Sequence, residues 1–265
     1  MTNLKSSEKV ILVVSFGTSV NENRELTIGA IENDIQAAFP HYQIRRAFTS
    51  NIIINILKRR ENLIIDNTVQ AMEKLVTENV REVVVVPTHI IPGFEYNGIV
   101  NTVVSYSDKF ESLKICRPLL TTDRDYNETM EAVLNESAAK RNRDTAQVFM
   151  GHGTEHEANK AYMKIQGLFI QKGYNDYIIG TVAAEPGIDE IRKAVAMLNV
   201  KNVILRPLMV VAGEHAKNDM AGDGTDSWES VFLNDGYNVE VSLKGLGQIQ
   251  AIRDIYVRHA REVIV

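Results

Sequence analysis

The sequence predicts an α/β fold of two similar lobes, each a parallel sheet flanked by helices, with an active-site cleft between them. Three observations lead there. Short apolar runs alternate with amphipathic segments along the whole chain. Several runs are continuously apolar, residues 83–86 most clearly, as in parallel strands covered on both faces. The order of strand ends and loops also repeats between the two halves of the chain.

Taken in order, strands are expected at 10–15, 42–47, 82–87, 113–116, 146–150, 177–182, 203–206 and 239–242. Helices are expected at 22–39, 68–78, 94–107, 126–142, 157–172, 188–198 and 248–263. In the second of these, Val69, Met72 and Leu75 recur at helical spacing. The first half reads Ser15-Phe16-Gly17-Thr18-Ser19, then Ala47-Phe48-Thr49-Ser50, then Pro87-Thr88-His89-Ile90-Ile91-Pro92-Gly93. The second reads Gly151-His152-Gly153-Thr154-Glu155, then Val182-Ala183-Ala184-Glu185, then Pro207-Leu208-Met209-Val210-Val211-Ala212-Gly213. Lobes are therefore expected at 1–125 and 126–265, joined near 122–145. The competing explanation is that all strand–loop–helix units look alike.

Composition narrows the function. The chain has 265 residues, 45% hydrophobic and 24% charged, as in an ordinary globular protein. A net charge of −5 without a basic run argues against nucleic acid as partner. A single cysteine, Cys116, excludes an intramolecular disulfide and fits a reducing compartment. The N-terminus lacks a signal-peptide pattern, and no apolar stretch nears the roughly 18–20 residues of a membrane span. A cytoplasmic protein that contacts no membrane is expected.

In α/β sheets, ligands bind where loops leave the carboxyl ends of strands. The polar residues there are Ser15 to Ser19, Thr49, Ser50, Thr88, His89, His152 to His156, Glu185, and Glu214 to Asp219. His89, His152 and His215 sit at or just past strand ends, whereas His41 and His259 read as surface residues. Histidine and carboxylate suit Co²⁺, Ni²⁺, Fe²⁺ and Zn²⁺. Gly151 and Gly153 flank His152 and leave space for a bulky ligand, and Gly213 precedes Glu214-His215. Taken singly, each histidine reads equally as a hydrogen-bonding loop residue. The dinucleotide fingerprint is broken by His156, and no Walker loop, His-Glu-x-x-His or Cys-x-x-Cys is present, so no organic cofactor is expected. A triad of Ser15, His152 and Asp219 lacks the nucleophile elbow. The run 219–226 fails the calcium-loop spacing and reads as a mobile segment at the cleft mouth.

At these same loops the chain resembles the anaerobic, class II sirohydrochlorin cobaltochelatases, the CbiK-like family. The resemblance spans nearly the whole sequence. Its carriers are Leu12-Val13-Val14-Ser15-Phe16-Gly17-Thr18-Ser19, Arg46-Ala47-Phe48-Thr49-Ser50 and His89-Ile90-Ile91-Pro92-Gly93-Phe94-Glu95-Tyr96 in the first half. In the second they are Val148-Phe149-Met150-Gly151-His152-Gly153, Ala212-Gly213-Glu214-His215-Ala216-Lys217-Asn218-Asp219-Met220 and Asp226-Ser227-Trp228. The resemblance implies the chelatase fold and insertion of Co²⁺ into sirohydrochlorin or precorrin-2 during cobalamin synthesis, with the metal as substrate. It implies His152 and His215 as metal ligands.

The family's ligand glutamate, in Val-Glu-x-x-Pro, falls on Ala183 of Val182-Ala183-Ala184-Glu185-Pro186. Glu185 shares a face with that position in extended chain. Its Cα lies roughly 6–7 Å further along, against a metal–oxygen bond of about 2.0–2.2 Å. A rearranged loop using Glu185, a two-histidine site and a weakened enzyme stay open; the first is favoured, which makes Glu185 the expected third metal ligand.

The resemblance further suggests His89 as a catalytic proton acceptor. For the carboxylate-rich substrate it suggests Ser15, Thr18, Ser19, Thr49, Ser50, Gly151, Gly153, Lys217 and Arg206. Trp228 either lines the macrocycle pocket or anchors its loop. A non-catalytic tetrapyrrole or metal carrier, or a chelatase for nickel or ferrous iron, is the alternative. The sequence leaves the oligomeric state open, since Ile90, Ile91 and Phe94 read equally as exposed patch or as core.

Overall fold

A computed structural model describes residues 8–264. The chain divides into two compact units, one running through Thr121 and rejoined by the segment from Arg253, the other Thr122–Ile252. The first contains β1 (Lys9–Ser15), α1 (Asn21–Arg24), a π-helical turn (Glu25–Gly29), α2 (Ala30–Ala38), β2 (Gln43–Phe48) and α3 (Asn51–Glu61). It continues through β3 (Asp66–Asn67), α4 (Thr68–Thr77), β4 (Glu82–Pro87), α5 (Phe94–Val104) and β5 (Ser112–Ile115). The second contains α6 (Asp123–Ser137), β6 (Thr145–Gly151), α7 (Lys160–Gln171), β7 (Tyr177–Thr181), α8 (Ile188–Ala196), β8 (Asn202–Pro207), a π-helical turn (Ala216–Met220), α9 (Trp228–Asn234) and β9 (Asn238–Val241). The last helix is α10 (Gln250–Ile264). No helix among the described residues is long and apolar enough to cross a membrane.

Each unit is built on one all-parallel sheet, ordered β3-β2-β1-β4-β5 in the first and β7-β6-β8-β9 in the second. The central strands explain why their apolar runs are unbroken. Val10, Leu12 and Val14 of β1 join Met72 and Leu75 of α4 and Ile99 and Val103 of α5 in one core. Ile11 and Val13 point to the other face and are buried as completely. Helix starts are set locally: Asn67 with Gln70, and Thr122 with Asp125, form capping boxes.

The two sheets repeat one design in detail. Val14 pairs with Pro87 as Met150 pairs with Pro207. Beyond the strand ends, Thr49 and Ser50 donate to the Ser15 and Phe16 carbonyls as Val182 and Ala183 donate to those of Gly151 and His152. Gly17 and Gly153, two residues past each pairing, both take positive φ, +101° and +81°. The correspondence expected between the halves therefore extends to single hydrogen bonds.

Four elements were not expected, the π-helical turn Ala216–Met220 among them. β3 has two residues, and α9 has seven. α3 buries Leu57 alone, so it shows no apolar stripe; the Ser50 hydroxyl starts it by accepting from the Ile53 N–H. The units also differ from 1–125 and 126–265, because α10 packs on the first one. Arg253 pairs with Asp34 at 2.6 Å, and Tyr256 donates to the Thr88 carbonyl at 3.0 Å. On the same helix His259 is 1% exposed, with Nδ1 3.2 Å from the Arg117 carbonyl, and is not a surface residue. His41 is exposed.

Candidate metal centre

β6 and β8 are neighbours, so the loops leaving their carboxyl ends meet. His152 follows the last residue of β6 and is exposed. Its backbone is fixed from two sides. The His152 carbonyl accepts from the Ala183 N–H at 2.8 Å. On the other side the buried Tyr162 ring fills the space that a Cβ on Gly151 would take, and burial raises its phenol to about 12.

His215 lies beyond β8, where the loop is tied down by Leu208 N–H to the Met150 carbonyl and Leu246 N–H to the Met209 carbonyl, both 2.8 Å. The π-helical turn that follows buries Ala216 and Met220 in the core of the second unit. His215 stays exposed, and Asp219 stays partly so.

The His152 and His215 ring centres lie 4.7 Å apart with planes at 79°. His152 Nδ1 is 2.8 Å from the Gly153 carbonyl oxygen, and His215 Nδ1 is 2.6 Å from Asp219 Oδ2. Both partners only accept, so each Nδ1 carries a proton and Nε2 is the ring nitrogen left for a metal. That is the state a metal-binding imidazole requires. An ion about 2.1 Å from each Nε2 would set the ring centres about 5 Å apart, close to what is observed. Among the described residues no group of three or more His, Cys, Asp or Glu side chains is placed to hold a metal. His152 and His215 are thus two adjacent imidazoles with no third such side chain grouped with them among the described residues.

Glu185 is not brought to it. Its Oε2 accepts from the Gly187 N–H at 3.0 Å, and its carbonyl accepts from Asn159 at 2.7 Å. The nearby Glu190 carboxyl is held below the usual carboxylate range, chiefly by its own backbone N–H. Glu185 therefore serves the turn into α8.

Most hydroxyls expected to meet substrate are used internally. Ser15 Oγ accepts from Thr88 Oγ1 at 2.8 Å, Thr18 Oγ1 accepts from the Val20 N–H, and Ser50 caps α3. Ser19 is buried, and Thr49 Oγ1 is buried without a partner. Gly151 and Gly153 make room for protein. A Cβ on Gly151 would lie 2.4 Å from the Tyr162 ring, and one on Gly153 would lie 2.7 Å from Thr181 Cβ. Gly153→Ala, at φ +81°, is expected to cost roughly 1–3 kcal/mol, measured as a lowered urea midpoint. Arg206 is 7% exposed inside the sheet, donating to Gln147, so it lines no rim. Lys217 is partly exposed beside the pair in sequence. Trp228 is 3% exposed in the core, where it anchors the end of its loop. Residues 223–226 of that loop are exposed, and Met220 at its start is buried.

His89 belongs to the first unit. Both ring nitrogens are buried without a partner, and burial pushes the imidazole down to about 4 from an ordinary 6.5. As placed, it has no exposed nitrogen to accept a substrate proton. The unfolded chain takes up this proton near pH 6.5 and the folded chain only near 4. Stability is therefore full above 6.5 and falls as the pH drops to 4, by about 3 kcal/mol. Urea unfolding at pH 7 and pH 4.5 is expected to show the loss, and His89→Leu is expected to flatten it.

Comparison with known proteins relates the chain to a family. The cobalt chelatase (CbiK) family model matches residues 9–265. The sirohydrochlorin cobaltochelatase of Salmonella typhimurium is 37% identical over 257 residues, covering 97% of both chains. The sirohydrochlorin cobaltochelatase CbiKC of Nitratidesulfovibrio vulgaris is 32% identical, covering 97% of this chain and 91% of its own. Among solved structures, SirB from Bacillus subtilis with Fe³⁺ superposes with a TM-score of 0.65 at 16% identity, over 96% of this chain and 94% of SirB. CbiX, the terminal enzyme of siroheme biosynthesis in denitrifying bacteria, gives 0.56 at 12% identity, over 97% of this chain and all of CbiX. At those identities the likeness is one of fold.

Proposed function

The chain belongs to the cobalt chelatase (CbiK) family, and on that premise we propose that it inserts Co²⁺ into sirohydrochlorin. The observation that carries this reading is the pair of imidazoles 4.7 Å apart, each with Nδ1 occupied. Co²⁺ is captured by the Nε2 atoms of His152 and His215, with water completing its shell. Of the three arrangements open from the sequence, this is the two-histidine site. The ion then passes to the ring nitrogens, and the two pyrrole N–H protons it replaces leave to solvent. Two neutral donors hold the ion less tightly than a set that includes a carboxylate, which favours its release to the macrocycle.

Ala183 at the family's glutamate position favours a second reading, a carrier that binds metal or tetrapyrrole without turnover. Absorbance-monitored insertion by the native chain separates the two. Multiple turnovers with Co²⁺, exceeding those with Ni²⁺ and Fe²⁺, are the expected result. Binding without turnover would favour the carrier, and a higher rate with nickel or ferrous iron would change the metal assigned.

Glu185→Ala is expected to leave the Co²⁺ rate within about twofold, because its carboxylate serves a turn. Steady-state insertion kinetics check this.

A further inference from the structure

The two imidazoles are backed differently. His152 Nδ1 meets a neutral carbonyl, while His215 Nδ1 meets the Asp219 carboxylate at 2.6 Å. His215 and Asp219 lie four residues apart across the π-helical turn, and that turn is pinned by Ala216 and Met220, both fully buried. The neighbouring acid, Glu214, turns instead to the Asn218 side chain at 3.3 Å.

We infer that Asp219 is a positioning residue for metal capture, whose charge acts on the bound ion through the His215 ring. This rests on the two-histidine reading above and goes beyond it. A carboxylate hydrogen-bonded at Nδ1 cannot coordinate an ion held at Nε2 of the same ring, because the ring lies between them. It can lock the Nδ1–H tautomer, aim Nε2 and make that nitrogen a stronger donor. In a site with alanine at position 183 and no third carboxylate or imidazole, Asp219 is the negative charge nearest the ion among the groups bonded to the two rings. It supplies through one imidazole part of the compensation that a coordinating glutamate gives directly.

The test is Co²⁺ titration of the whole chain, followed by the visible absorption of the bound ion, for Asp219→Ala, Asp219→Asn, Asp219→Glu and Glu214→Gln. Urea midpoints confirm that each variant is folded. Asp219→Ala is expected to weaken Co²⁺ by about 10–100-fold, the range for outer partners of metal-binding histidines. Asp219→Asn, which keeps an acceptor oxygen but loses the charge, falls between Ala and native. Asp219→Glu recovers most of the affinity, and Glu214→Gln stays within twofold. A shifted Co²⁺ absorption band in Asp219→Asn marks the change at His215, which a merely structural role would not produce.

Native-like affinity and spectrum in both Asp219→Ala and Asp219→Asn would overturn the inference. The two-histidine reading would still stand if His215→Ala alone lost the ion. A native chain that binds no Co²⁺ would overturn both.

Discussion

Replacing either His152 or His215 with alanine is expected to reduce Co²⁺ insertion on the order of 10³-fold, or about 4 kcal/mol of transition-state stabilisation. Loss of an outer partner typically costs 10–100-fold, and removing one of only two donors must exceed that. One imidazole with water cannot hold the ion at a defined point, so capture and transfer fail together. Both side chains are exposed, and their backbones are fixed by hydrogen bonds that alanine keeps. Stability is therefore expected to change by no more than about 0.5 kcal/mol. Insertion rates and urea midpoints measured on the same samples separate loss of chemistry from loss of fold.

Ala183→Glu is expected to work in the opposite direction on binding. The Ala183 N–H donates to the carbonyl of His152, so a side chain at 183 grows from a backbone bonded directly to the ligand loop. Ala183 is exposed, and a glutamate meets no buried neighbour there. An added carboxylate turns a neutral two-donor site into the three-donor set usual for such ions. Co²⁺ affinity is expected to rise by about 10–100-fold, of the same order as a lost partner costs. A tighter ion is also harder to release, so the insertion rate gains less than the affinity. Calorimetric titration beside steady-state kinetics would resolve the two effects.

The core of the first sheet was legible because its central strands, buried on both faces, are continuously apolar from Val10 to Val14 and from Val83 to Val86. His152 and His215 were legible singly as strand-end residues, and their pairing was what the family resemblance implied; that β6 and β8 are neighbours emerged only from the fold. What could not be read was how each loop satisfies its own polar groups. Ser15, Thr18 and Ser50 sit at strand-to-helix turns where backbone or neighbouring hydroxyl partners claim them before any ligand does. The glycines beside His152 suggested space for substrate; their neighbours are Tyr162 and Thr181, which no local pattern announces. Tyr162, whose ring packs against Gly151 beside His152, lies on α7 in a stripe of core residues that nothing in the sequence singles out. Asp219 was visible only as one acid in a polar loop, because its bond to His215 depends on a π-helical turn. Arg206, charged and at the end of a predicted strand, proved to be enclosed beside Gln147.

Capture of the ion by two imidazoles and water, with Glu185 uninvolved, is tested by X-ray absorption at the cobalt edge on native chain and Glu185→Ala, each loaded with one equivalent of Co²⁺. Two imidazole ligands are expected in both samples, with the remaining near scatterers at water distances and no difference between the spectra. A carboxylate contribution that disappears in Glu185→Ala, or fewer than two imidazoles in the native chain, would contradict it.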